Sequence, residues 1–324
     1  MKILAVDDDP FILELLTEVV AMFEDHELLT AASAADALRV MGATTDIDCF
    51  LVDIQMPGQD GISLCRAIRK IEVFERSPIL MLTAMSEKRY IDDAFAAGAT
   101  DYINKPFEIQ DLRSRLNTVE KLIASRRADM DRLFVTPSGH RASERDTPIA
   151  LYEPFDIHDI DGVVAPMALE NYVTKLSRNA LFGSSVFGVA VRQIDGHYGG
   201  LSSFDFQSMI VDVAEALSDQ LASHQFLLTY VGSGCFICVV EGGARLDVRR
   251  FTDAVNLAVH RMGLSSSAGE PLVVRVAVGA IFRLFWRPGQ HALDALSQAH
   301  TSAEQEADRV ERELDQIWFM EQSA

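Results

Sequence analysis

Over the first 134 residues, short continuously apolar runs alternate with helical patterns, and this alternation constrains the fold more than any other feature of the chain. The runs are residues 3–6, 28–31, 49–52, 79–82 and 102–103; the helical stretches that follow them are residues 11–23, 34–41, 62–74, 90–97 and 112–134. Strands separated by helices of this length run in the same direction, which makes a parallel sheet. Unbroken apolarity along a strand means burial on both faces, so helices must cover both sides of that sheet.

The polar residues that end these runs are of a particular kind. Asp7, Asp8 and Asp9 follow the first strand, Asp53 ends the third, Thr83 the fourth, and Lys105-Pro106 the fifth. In an open parallel sheet, side chains at the carboxyl ends of neighbouring strands converge on one crevice, where such folds bind ligands. Taken singly, each residue could be a helix-capping aspartate or a solvated lysine. At successive strand ends they build one site. Carboxylates from two strands repel one another unless a cation neutralises them, and Mg²⁺, which takes hard oxygen ligands and coordinates phosphate, is the economical occupant. Beside such an ion a carboxylate can act as a nucleophile toward phosphorus. Asp53, at the tip of the central apolar strand with the turn Gln55-Met56-Pro57-Gly58 baring it, is the best acceptor. Lys105 supplies a positive point charge and Thr83 a hydroxyl donor for the phosphoryl oxygens.

The segments Ala5-Val6-Asp7-Asp8-Asp9-Pro10, Leu51-Val52-Asp53-Ile54-Gln55-Met56-Pro57-Gly58, Leu82-Thr83-Ala84 and Asp101-Tyr102-Ile103-Asn104-Lys105-Pro106-Phe107 resemble the receiver domains of bacterial two-component response regulators. The resemblance covers about residues 1–125. It implies a flavodoxin-like fold of sheet order 2-1-3-4-5 and transfer of a phosphoryl group to Asp53 from a histidine kinase or phosphotransfer protein. It also implies Mg²⁺ held by Asp7, Asp8, Asp53 and the backbone carbonyl of Gln55, a cis bond before Pro106, and a switch in which Thr83 moves toward the phosphoryl group while Tyr102 turns inward. Apolar Met85, near that pocket, cannot orient an attacking water.

Residues 126–165, where Pro137, Ser138, Gly139, Pro148 and Pro154 interrupt the periodicity, read as a helix extension and linker, and residues 166–324 as a second domain. Its expected order is helix (167–181), strand (185–192), helix (204–222), a hairpin turning at 232–234, helix (248–262), strand (272–282) and helix (292–317), an α+β arrangement. This half looks like a nucleotidyl-cyclase palm of the diguanylate cyclase (GGDEF) type, with Tyr230-Val231-Gly232-Ser233-Gly234-Cys235-Phe236 where the signature hairpin would stand. The resemblance places metal-binding carboxylates where this chain has Gly234 and Gln193, glutamate where it has Cys235, and a phosphate-contacting lysine where it has His300. Two-metal phosphoryl chemistry needs those carboxylates. The family's product-binding arginine and aspartate are also missing from Ser223-His224-Gln225-Phe226-Leu227. The expectation is therefore a degenerate, non-enzymatic domain that signals by protein contact. The rivals are a cyclase making cyclic di-GMP, and a GTP or cyclic di-GMP sensor whose Gly232 and Gly234 let backbone amides approach a phosphate.

Composition narrows the partners. A net charge of −19 and a pI near 4.7 repel nucleic acid and anionic membrane, so no DNA contact is expected. No apolar run approaches a membrane span and the N-terminus lacks a signal peptide, so a cytoplasmic location is expected. Cys49 and Cys65 fall in core segments. Cys235 and Cys238, three apart in a strand, should face opposite sides of the sheet and form no shared metal pair. Positions 112, 116, 119, 123, 126, 130 and 133 form a helical seam that suits the domain's own sheet up to about Leu122 and, beyond it, either a coiled-coil homodimer or domain docking.

Overall fold

The computed structural model describes residues 1–23, 26–84, 88–134, 149–175, 183–241, 246–284 and 290–322. The chain divides into two compact units, Met1–His140 and Arg141–Ala324.

In the first unit, β1 (Lys2–Val6), β2 (Glu27–Ala31), β3 (Cys49–Asp53), β4 (Ile79–Thr83) and β5 (Asp101–Asn104) form a sheet of order β2-β1-β3-β4-β5. Every pairing is parallel, giving the expected 2-1-3-4-5 order. The helices α1 (Pro10–Ala21), α2 (Ala34–Ala43), α3 (Gly61–Arg69), α4 (Lys88–Ala96) and α5 (Ile109–Phe134) alternate with the strands. On one face, Ile3, Ala5, Leu51, Leu80 and Leu82 pack with Leu16 and Val19 of α1 and with Leu112, Leu116 and Val119 of α5. Alternate residues of the same strands, Leu4, Val6, Phe50 and Val52, are equally buried, Phe50 edge-on to Phe74 at 5.4 Å. Each such side chain contributes about 1.5–3 kcal/mol through burial. The α5 seam thus serves its own sheet as far as Val119, with Ile123 packed on its margin. The side chains at 126, 130 and 133, on which a dimer seam depends, lie outside the described residues, as does Met85.

The second unit is built on an antiparallel sheet. Its strands β6 (Ser185–Val191), β7 (Phe226–Gly232), β8 (Cys235–Val240), β9 (Val276–Val278) and β10 (Phe282–Arg283) take the order β10-β6-β8-β7, with β9 also pairing β6. The helices are α6 (Pro166–Lys175), α7 (Ile194–Gly200), α8 (Ser203–Leu221), α9 (Val248–Met262) and α10 (Gln290–Gln322). On one face Phe187, Val189, Phe236 and Cys238 meet Phe206, Ile210 and Val213 of α8 and Phe251 and Val255 of α9. On the other, Ala190, Cys235 and Ala277 meet Ala303 and Ala307 of α10. Cys235 and Cys238 therefore face opposite ways, as their spacing requires.

Three expectations are corrected. The strand foreseen at 272–282 is two short pieces, β9 and β10; between them Gly279 lies so close to α10 that a Cβ there would sit 2.7 Å from the Ala303 nitrogen. Helix α7 was not foreseen, because Gly196, Gly199 and Gly200 depress its propensity and it buries no residue. The linker expected to run to residue 165 is too long: Ile157 and Val163 belong to the second unit's core, and Val163 bridges to Leu228.

Candidate functional site

The first unit's sheet brings its strand ends together. Asp7 lies just beyond β1, Asp53 closes β3, Thr83 closes β4 and Lys105 follows β5. Asp7, Asp53 and Thr83 are buried at 1%, 5% and 1% exposure, whereas Asp8 is exposed. The Lys105 Nζ donates to Asp7 Oδ2 and to Asp53 Oδ1, and its backbone N–H donates to the Thr83 carbonyl at 2.6 Å. The Lys105–Pro106 peptide is cis, as the resemblance implies. The aspartate triplet divides its labour: Asp9 caps α1 by accepting from the Phe11 amide at 2.9 Å, leaving Asp7 and Asp8 for the pocket. Sequence reasoning passed over Gly61, which lies against Asp53. A Cβ at Gly61 would lie 1.9 Å from the Asp53 carbonyl oxygen, so only glycine lets α3 start against the end of β3.

Burial pushes the Asp53 carboxyl above the usual carboxylate range, and the charge of Asp7 pushes the same way; Lys105 and a hydrogen bond from the Gln55 backbone pull against them. Burial also disfavours the Lys105 ammonium, yet its hydrogen bonds to Asp53 and Asp7 carry it above the ordinary lysine value. One cation facing two buried carboxylates explains both directions, because the lysine gains from two acids while those acids share one lysine. Asp7, Asp8 and Asp53 each bring a carboxylate oxygen to within 4.8 Å of the others. When ionised, three carboxylates against one ammonium leave two uncompensated negative charges. That surplus and the all-oxygen donor set fit Mg²⁺. Tyr102 is buried, edge-on to Phe95 at 6.2 Å, on the strand that delivers Lys105.

The second unit's hairpin is closed by its own chain. At Gly234, whose φ is +68°, a Cβ would meet the Ile194 side chain at 2.6 Å. At Gly232 a Cβ would lie 2.3 Å from the Tyr152 carbonyl oxygen, because residues 151–153 run across the turn. The Ser233 amide donates to Leu151 O at 2.7 Å and the Gly234 amide to Tyr230 Oη at 3.3 Å. The Gly234 amide, expected to be open to a phosphate, is thus engaged, and so is its neighbour at Ser233. Gln193, at the position read as a lost metal aspartate, donates to Glu311 Oε2 at 2.8 Å, next to the Arg192–Glu311 ion pair at 2.6 Å. Asp195 is exposed in the first turn of α7. The covering segment was not legible in sequence, since nothing in residues 149–153 signals which turn they cross.

The family model described as response regulator receiver domain matches residues 3–117. The transcriptional regulatory protein TcrA of Mycobacterium tuberculosis is 32% identical over 159 residues, 47% of this chain and 59% of that protein. The heme response regulator HssR of Staphylococcus saprophyticus is 36% identical over 118 residues, 36% of this chain and 50% of that one. Among solved structures, the chemotaxis protein CheY4 of Vibrio cholerae has 30% identity and a TM-score of 0.35, over 36% of this chain and 97% of its own. The chain spans about half the length of the curated relatives it matches. No helix among the described residues is long and apolar enough to cross a membrane.

Proposed function

We propose that this chain, whose residues 3–117 are a response regulator receiver domain, accepts a phosphoryl group on Asp53 from the phosphohistidine of a histidine kinase or phosphotransfer protein. The signal then leaves through the second unit by contact with another protein, in the cytoplasm. The observation that carries this reading is the placement of Asp53 at the mouth of β3, its oxygen paired with Lys105 and its neighbours Asp7 and Asp8 within ligand distance.

Asp7, Asp8, Asp53 and the Gln55 carbonyl would hold Mg²⁺, which when bound offsets charge on the transferring phosphoryl group. An Asp53 carboxylate oxygen attacks phosphorus. The P–N bond to the histidine breaks, its electron pair returning to the imidazole nitrogen, and a P–O bond forms as an acyl phosphate. Lys105 exchanges a carboxylate partner for a phosphoryl oxygen. Thr83, one strand over, moves toward the phosphoryl group and supplies a hydroxyl donor to another oxygen, while Tyr102 of β5, already buried, turns further inward. The modification adds roughly one to two negative charges to the pocket.

For the second unit, the engaged Ser233 and Gly234 amides of the hairpin and the absence of carboxylates at 193 and 234 favour a degenerate GGDEF-like output without cyclase activity. The net charge of −19 disfavours DNA as the partner. Incubation with acetyl phosphate and Mg²⁺ should label the intact protein at Asp53, with Asp53→Ala unlabelled and GTP left unconverted. Label at another residue would refute the acceptor, and stoichiometric cyclic di-GMP would refute the output.

A further inference from the structure

A second cluster of metal-binding side chains lies on the sheet face of the second unit that α10 covers. Helix and sheet approach closely there because the residues between them are small. A Cβ at Gly188 would lie 2.3 Å from the Ala299 carbonyl oxygen, and Ala303 and Ala307 meet Ala190, Cys235 and Ala277. Longer side chains of α10 beside that contact therefore reach the strands. His300 and Glu304, four residues apart, project from one side of the helix toward Cys235, the first residue of β8.

The Cys235 thiol, a His300 ring nitrogen and a Glu304 carboxylate oxygen all lie within 4.8 Å of one another. Tetrahedral zinc, with bonds of about 2.0–2.3 Å, sets its ligands roughly 3.3–3.8 Å apart, so small side-chain rotations would close the set. The imidazole is also incompletely bonded. Its Nε2 is buried without a hydrogen-bond partner, and its Nδ1 stands 3.9 Å from Glu304, beyond hydrogen-bond range. A buried ring nitrogen left without a partner is destabilising unless something binds it. His300, though neither Cys235 nor Glu304, also borders a cavity of about 310 Å³. Thr229, 1% exposed and with its hydroxyl equally unpartnered, lines the same cavity.

We propose that Cys235, His300 and Glu304 bind one borderline-soft divalent cation, Zn²⁺ by the chemistry of its donors, with the fourth position open to water. Thiolate and imidazole select zinc over the oxygen-seeking Mg²⁺ of the receiver pocket. Bound there, the ion ties the last helix to the start of β8 and so fixes the output unit's surface.

The test is a Co²⁺ titration of the reduced full-length protein in saturating Mg²⁺, which fills the all-oxygen receiver site. A thiolate-to-cobalt charge-transfer band in the near ultraviolet should saturate at one equivalent and disappear when Zn²⁺ is added. Cys235→Ser should abolish the band, and His300→Gln or Glu304→Gln should weaken Zn²⁺ binding at least ~10-fold while circular dichroism shows a folded chain. Cys49→Ser should leave the band intact. If Cys235→Ser does not fold, the exposed Glu304 position carries the test alone. No band, a band that survives Cys235→Ser, or unchanged affinity in both helix variants would overturn the assignment.

Discussion

At the ends of β1, β3 and β5 the first unit gathers Asp7, Asp53 and Lys105, with Asp8 at the rim; at the end of β6 and the β7–β8 turn the second unit presents Gln193, Gly232 and Gly234. The two sheets therefore treat their strand ends differently. In the receiver, three carboxylates face one ammonium and, when ionised, keep an unbalanced negative charge that fits a cation. In the second unit the chain consumes its own polar groups: Leu151 takes the Ser233 amide, Tyr230 the Gly234 amide, and Glu311 the Gln193 side chain. Folding leaves charge unsatisfied at the first unit's strand ends and satisfies the polar groups of the second unit's hairpin.

Removing Lys105 should widen the contrast most. Lys105→Ala leaves Asp7 and Asp53 buried without their cation, and breaking such a pair costs up to ~3–5 kcal/mol. Urea unfolding in chelator should show that loss, with Mg²⁺ restoring part of it. Mg²⁺ itself should stabilise the wild-type receiver by ~2.7 kcal/mol at a hundredfold excess over its dissociation constant. It should leave the second unit's amide exchange unchanged. Restoring a carboxylate to the hairpin is the converse attempt. Gly234→Asp puts a side chain at φ +68° against Ile194, and should cost about 1–3 kcal/mol while yielding no cyclic di-GMP from GTP. The smallest effect concerns pH. Because the Asp53 pKa is raised in the folded state, the stability it contributes is complete below the ordinary carboxylate value of about 3.9 and is lost as pH rises through the raised one. Asp53→Asn should flatten that decline in the metal-free protein, measured as unfolding free energy from about pH 4 to neutrality.

The receiver was legible because its signals are local and repeat. Apolar runs such as Cys49–Asp53 are strands buried on both faces, and the acids that end them had to converge once the sheet was parallel. Contacts between segments distant in sequence were not legible. Gly61 reads as an ordinary loop residue until α3 is seated on Asp53, and residues 151–153 as linker until they lie across Gly232. Likewise, Cys235 and His300, 65 positions apart in the numbering, came together only through the close packing of α10 on the sheet.

The most direct measurement is calorimetric titration of the full-length protein with Mg²⁺, alongside Asp53→Asn and Asp8→Asn. One site in the wild type, weakened at least ~10-fold by either substitution, is the expected result. Unchanged Mg²⁺ affinity in both variants would contradict the carboxylate pocket on which phosphoryl acceptance rests.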